Sequence, residues 1–307
     1  MSSINTNSSA MAALSTLRSI NDNLNTTQNR ISSGLNVESG KDNAAYFQIS
    51  ETMKSDSSVY SAINEGLTVT KSSVATARLG AETVQDLAQE FLDKVAFAQG
   101  ATSGLDEIED DLLELVKSME TTLSQSTFNG DDMLAAGDYP PTAGSIAGAT
   151  GVLTSAGATT GNDRNVVTGV TRAGGTYATT EIVVSDYDIA NVVSDFKTIA
   201  TAFATNAGDA TNGEAFLGGA LASTEGVLTK ITDVATKLGQ SERSIETQQT
   251  FLKAVVDNID ASVGSMIDAN MEEEAARLQA LQVQQQLATQ SLSIANQAPQ
   301  NILSLFR

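Results

Sequence analysis

The run EEEAARLQALQVQQQLATQSLSIANQAPQNILSLFR, from Glu272 to Arg307, decides how the rest of this chain is read. It opens with three glutamates and then its charge stops: from Leu278 through Phe306 there is no Asp, Glu, Lys or Arg, in a chain whose formal net charge is −20. Polarity there comes from Gln, Asn, Ser and Thr. Ala276, Ala280, Val283, Leu287 and Ile294 follow the alternating four- and three-residue spacing of a helical seam. Leu278, Leu281, Ala288, Leu292 and Ala295 follow the same spacing on a neighbouring face. One apolar stripe suffices for a surface helix. Two stripes and no charge predict protein on more than one side, the second side being another copy of the molecule.

The other end of the chain has the same character. Ala10, Leu14, Leu17, Asn21, Leu24, Gln28 and Ile31 predict a seam along a helix over Ser8–Ser33, stopped by Gly34. Such a helix is about 40 Å long at ~1.5 Å per residue. The two charge-poor ends are expected to pair.

Between them lie long helical patterns. From Asp42 to Gln99 one register holds Ile49, Met53, Tyr60, Ile63, Leu67, Val74, Ala77, Ala81, Val84, Ala88, Phe91, Val95 and Ala98. A sevenfold repeat held that long predicts coiled-coil-like packing. Gly100–Gly104 is a turn, a shorter helix follows to about Ser126, and Phe128-Asn-Gly-Asp131 is a turn signal. From Asp138 to about Ala178 Gly, Ala and Thr dominate and no helical period survives; short β-like runs stand at Asn165–Val170 and Tyr177–Val184. Helix is expected to resume over Ile189–Ala204, to break over Asn206–Gly219, and then to run from Ile231 without interruption through Ala269 into the terminal stripe. That would be one helix of about 70 residues and ~100 Å, ended or kinked by Pro299. The expected fold is mainly α: a long antiparallel coiled-coil-like rod with a small β or irregular module in mid-chain, exposed at its far tip. The segments are 1–41 with 269–307 as a terminal helical pair, 42–137 with 186–268 as the rod, and 138–185 as the surface-exposed variable module.

Composition removes whole classes of function. No His and no Cys exist among 307 residues, which excludes thiolate, Ser-His and His-zinc chemistry. Seventeen basic against 37 acidic residues oppose nucleic acid and anionic membranes. No apolar run approaches the ~18 residues of a membrane span, and the first residues carry no basic, apolar signal peptide. Those two features alone would suggest the cytoplasm. The acidic runs Asp106–Asp111 and Glu272–Glu274 lack calcium-loop spacing and are read as helix starts favoured by the helix dipole. Asp131-Asp132 has no nucleophile beside it. Neither a metal, a cofactor nor a catalytic residue is expected. Ser and Thr in the middle module are read as turn chemistry, with O-linked glycan as the alternative.

Four motifs together identify the family. Ile4-Asn-Thr-Asn7, Arg30-Ile-Ser-Ser-Gly-Leu35 followed by Gly40-Lys-Asp-Asn-Ala-Ala45, Thr127-Phe-Asn-Gly130, and Ser293-Ile-Ala-Asn-Gln-Ala-Pro-Gln-Asn-Ile-Leu-Ser-Leu-Phe306 resemble bacterial flagellin. The resemblance covers roughly residues 1–135 and 190–307. It implies a structural subunit that polymerises into the flagellar filament for swimming motility. In the family the terminal helices line the filament core and the long helices form a layer around it. The implied polymerisation residues are Leu14, Leu17, Leu24, Ile31, Ala280, Leu281, Val283, Leu287, Leu292, Ile294, Ile302, Leu305 and Phe306. Implied partners are other copies or other flagellins, the type III export apparatus and an export chaperone, and the filament cap and hook-junction proteins. The implied location is the extracellular filament, reached without a cleaved signal peptide, which replaces the cytoplasmic expectation. Many members carry arginines in a stretch recognised by the animal innate flagellin receptor; here Glu82-Thr-Val-Gln-Asp-Leu87 places Thr83 and Gln85 there, so weak agonism is expected. A hook-filament junction protein, or an exported adhesin that does not polymerise, are the alternatives.

Overall fold

The computed structural model describes residues 7–101, 103–135, 141–155, 160–173 and 176–305. The chain falls into two compact units, Met1–Ser58 with Val255–Arg307, and Val59–Ala254. The first contains α1 (Ser8–Ser33), the start of α2 (Ala44–Ala98), the end of α6 (Gly213–Ile267) and α7 (Met271–Leu305). The second contains the remainder of α2 and α6 with α3 (Leu105–Gln125), β1 (Ser145–Ile146), β2 (Leu153–Thr154), β3 (Thr160–Ala173), β4 (Thr176–Tyr187), α4 (Ile189–Thr201) and α5 (Phe203–Ala207). Among the described residues no helix is long and apolar enough to cross a membrane.

In the second unit the seam expected on α2 is the core. Leu67, Val74, Ala77, Ala81, Val84, Ala88, Phe91, Val95 and Ala98 are all buried, against Ile231, Val234, Leu238, Ile245 and Leu252 of α6. The two helices run antiparallel: Arg78 pairs with Glu242, Lys71 with Glu246, and Gln249 donates to Thr68. Helix α3 folds back and buries Ile108, Leu112, Val116 and Met119. Phe91 meets Phe196 of α4 edge-on at 5.0 Å, and Phe203 meets Phe216 at 6.2 Å. With few aromatics available, the core uses them as two pairs.

The middle module is two small antiparallel sheets, β1 with β2 and β3 with β4. The β3–β4 hairpin begins and ends earlier and later than the two short runs expected. Over residues 165–168 and 182–184 one face of the hairpin turns inward, while 178–181 are all exposed. Val166, Thr168 and Val184 are buried, while Val167 and Val183 are exposed, as the two-residue period of a strand requires. Tyr60 of α2 donates to the Val170 carbonyl, and Gln248 of α6 donates to that of Thr168. The hairpin therefore lies along the helices as part of the core, which is a closer attachment than a module at the tip.

The turn at Phe128–Asp131 closes as expected. Asn129 and Gly130 both take positive φ, 53° and 80°, and Phe128 and Asp131 exchange backbone hydrogen bonds. Asp131 then receives a two-pronged ion pair from Arg164 of β3, with Ser73 of α2 donating to the same carboxylate at 2.7 Å.

Three expectations are corrected. The break over 206–219 shrinks to the few residues before Gly213, where α6 begins. Glycine is needed at 219 for close approach: a Cβ there would meet the Thr150 carbonyl oxygen, and one at Gly151 would meet that of Phe216. The glycines let the β1–β2 turn sit against the helix backbone. The single helix of about 70 residues is two, parted at Asp268–Asn270. Asn270 accepts from the Glu272 and Glu273 amides, and three glutamates occupy the first turn of α7. That cap-and-acid signature lay in the sequence, masked by a heptad register that happens to continue across it. Finally, of the two outcomes expected at Pro299, the helix does not end there: α7 runs on to Leu305.

Candidate assembly surface

Two helices form the terminal pair, α1 and α7. Asn7 caps α1 by accepting from the Ala10 amide at 3.1 Å, and Gly34 ends it at φ 75°, donating to the Arg30 carbonyl. The chain then crosses toward the start of α7. The Asn36 amide donates to the Ile267 carbonyl at 2.6 Å, and the Ala269 amide to that of Gly34 at 2.8 Å. Both passes of the chain break helix at this joint, and each satisfies the other's free backbone groups. A small cluster of Val37, Val263 and Ile267 lies beside it.

Which stripe of α7 faces α1 is settled by burial. Leu278, Leu281, Gln285, Ala288, Leu292 and Ala295 are buried or half-buried. This is the second of the two expected stripes, and Gln285 fills its polar position by donating to Asn21 of α1 at 2.7 Å. The other stripe is bare: Val283, Leu287 and Ile294 are 55%, 60% and 63% exposed. Ala280 is exposed with them. On α1 the covered face is Ala13, Leu17, Ile20, Leu24, Thr27 and Ile31. Leu14 and Gln28, expected on that seam, lie outside it, and Met11 is 67% exposed beside Leu14. Of the expected interface residues, then, Leu17, Leu24, Ile31, Leu281 and Leu292 hold the pair together within one chain. Leu14, Ala280, Val283, Leu287 and Ile294 are uncovered. Ile302 and Leu305 are described by their helical backbone alone, and Phe306 lies outside the described residues.

An ion pair joins α1 to α7 at their joint. Glu274 is buried and accepts from Arg30 at 3.3 Å and Arg277 at 3.2 Å, both on the same oxygen; its other oxygen has no hydrogen-bond partner among the described residues. Arg30 links the start of α7 to the end of α1, and Arg277 braces the same buried carboxylate from within α7.

The second unit carries outward apolar side chains that the sequence reading missed. Leu79 and Phe97 on α2 are 63% and 72% exposed, and Phe251 on α6 is 58% exposed. The available signal was their position: large apolar residues between seam positions of a coiled-coil helix have no internal reason to be there. Thr83 is exposed and turns its hydroxyl back to the Leu79 carbonyl at 2.9 Å, while Gln85 is half-buried. The neighbouring Arg78 is held by Glu242 and Glu82, and both pairs raise its pKa.

The carboxylates about Arg164 divide by environment. Asp131 is held below the usual carboxylate value, first by its Arg164 hydrogen bonds and also by Ser73. Burial pushes Asp186 up despite the same arginine, and burial likewise raises Asp188, which caps α4 through the Asn191 amide. This is a structural node: among the described residues no acidic cluster is placed to hold a metal ion.

Both helical ends of the chain are matched by family. Residues 4–138 match the bacterial flagellin N-terminal helical region, and residues 221–306 the bacterial flagellin C-terminal helical region. The chain belongs to the bacterial flagellin family. A flagellin of Brucella melitensis biotype 1 is 37% identical over 310 residues, and flagellin C of Rhizobium meliloti (strain 1021) is 36% identical over 321, with both chains covered in full each time. Flagellin A of Rhizobium meliloti is 31% identical over an alignment of 401 residues, again covering both. As a flagellin the chain is a structural subunit of the flagellar filament, an extracellular appendage of motility, and it associates with itself.

Proposed function

We propose that this flagellin polymerises through the bare stripe of α7 together with the outward side chains of α1. The observation that carries this is the exposure of Val283, Leu287 and Ile294 on a helix whose opposite stripe is already satisfied within the chain. A charge-free surface of this kind suits a dense assembly, where an unpaired ion would be costly and an amide can still find a partner. The terminal pair, 1–41 with 269–307, takes the inner layer, and the helical rod, 42–137 with 186–268, the layer around it. Leu79, Phe97 and Phe251 supply contacts between rods. Residues 138–185 turn one hairpin face to solvent. The ends order fully only when neighbours bury them. Swimming cells use the filament after type III export, with an export chaperone, the cap and the hook-junction proteins as further partners. The absence of His and Cys supports a role without catalysis, and the acidic balance supports one without nucleic acid or membrane insertion.

Removal of the residues after Ala298 tests the reading. The truncated subunit is expected to stay soluble and monomeric under conditions that polymerise the full chain; filaments from it in electron micrographs would refute the role given to this segment. In the innate-receptor assay, the missing arginines at Thr83 and Gln85 predict weak agonism, and full potency in a reporter cell line would remove that part of the proposal.

A further inference from the structure

Pro299 sits inside α7 with helical backbone on both sides. A proline there has no N–H, so the carbonyl four residues back, that of Ala295, loses its helical donor. The structure supplies a donor from elsewhere. The Asn7 side-chain amide donates to the Ala295 carbonyl at 2.9 Å, across 288 residues of sequence. The same side chain, through its oxygen, caps α1 at the Ala10 amide. Its two ends thus satisfy two different helix defects: the free amide at the start of α1 and the carbonyl orphaned by Pro299.

We infer that Asn7 is the register pin of the terminal pair, reading the position of Pro299 on α7 and fixing it against the first turn of α1. At its other end the pair is fixed by the backbone bonds of the joint and the Arg30–Glu274 ion pair, and between the two ends it is held by aliphatic stripes, which tolerate sliding, and by the amide pair of Gln285 with Asn21. The carbonyl beside a proline is unique along α7, so a donor fixed at the first residue before α1 selects one alignment. Asparagine suits this position because it carries an acceptor and a donor on one planar group. Aspartate would serve the cap equally well but, ionised, has no hydrogen to donate to the carbonyl. The inference rests on the filament reading, since the pair's alignment presents the bare stripe to the next copy.

The test is a double-mutant cycle on polymerising full-length protein, reading the concentration of subunit left in equilibrium with filaments. Asn7→Asp keeps the cap and removes the donor, and is expected to raise that concentration about tenfold. Pro299→Ala restores the helical N–H. In the double variant the Asn7→Asp effect should shrink to within about twofold, because the Ala295 carbonyl no longer needs an outside donor. Circular dichroism of each variant checks that helix content is kept; a loss in Asn7→Asp that Pro299→Ala restores supports the assignment equally. An Asn7→Asp effect of the same size with and without Pro299→Ala, or none at all, overturns the assignment while wild-type filaments leave the filament reading standing. A wild-type chain that does not polymerise overturns both.

Discussion

The terminal pair and the packed second unit are built from the same heptad vocabulary, yet they bury it to different degrees. In the second unit the α2 seam from Val74 to Ala98 is at most 1% exposed at its seam positions. In the pair, whose helices run to 26 and 35 residues, the buried ones among the residues of described burial are Ile20, Thr27, Glu274 and Leu281. The first region is finished as a folded object. The second has surface in reserve, and that reserve is where a polymer subunit differs from a monomeric helical protein.

Substitutions sharpen this contrast in order of size. Phe91→Ala empties a fully buried site packed against Phe196 and should cost about 3–5 kcal/mol, seen as a large fall in monomer Tm; a small fall would mean that the second unit is far looser than its burial implies. Asp131→Asn removes the Arg164 pair that ties the hairpin to the turn, and about 1 kcal/mol is expected because the pair is about a third exposed and screened. Its pH dependence carries a sign. The Asp131 pKa is depressed in the folded chain, so its stabilisation is present above the ordinary value of 3.8 and is lost as pH falls through the folded value. Asp186 runs the other way: its raised pKa gives a contribution present below 3.8 and lost as pH rises through the folded value. The Tm gap between wild type and Asp131→Asn should therefore be open at neutral pH and close in acid, and a gap that persists unchanged at low pH would remove Asp131 ionisation as its cause. Leu287→Ser is expected to leave monomer stability within about 0.5 kcal/mol of wild type while impairing filament formation. A large monomer effect would show that the bare stripe is covered within the chain after all.

Periodicity made most of this legible. The seam of α2 and the limits of α1 were readable because apolar residues recur at most seam positions and Gly34 marks a stop. The hairpin turn was readable from Asn129-Gly130. What periodicity could not report was contact at the level of backbone. Gly219 and Gly151 look like breakers in sequence and act as points of close approach in space. The register that runs from Ile231 into Ala276, Ala280 and Val283 is real as a pattern, but the capped joint at Asn270 stops the helix, and those later positions end on the outside of α7. On the assembly surface the sequence named both stripes without deciding which was spent inside the chain; that needed the partner helix. Leu79 and Phe97 stand between seam positions, where a heptad period carries no signal.

The joint at Gly34–Val37 and Ile267–Asn270 has one more consequence. Because both passes of the chain leave helix there and are bonded to each other through backbone groups, helical phase is not transmitted across it. A residue inserted into or deleted from the rod helices would rotate every downstream position in an uninterrupted coil by ~100°. Here the rotation would stop at the joint. The two lengths of helix are insulated, so one can drift in sequence while the other keeps the geometry that its neighbours in a polymer demand.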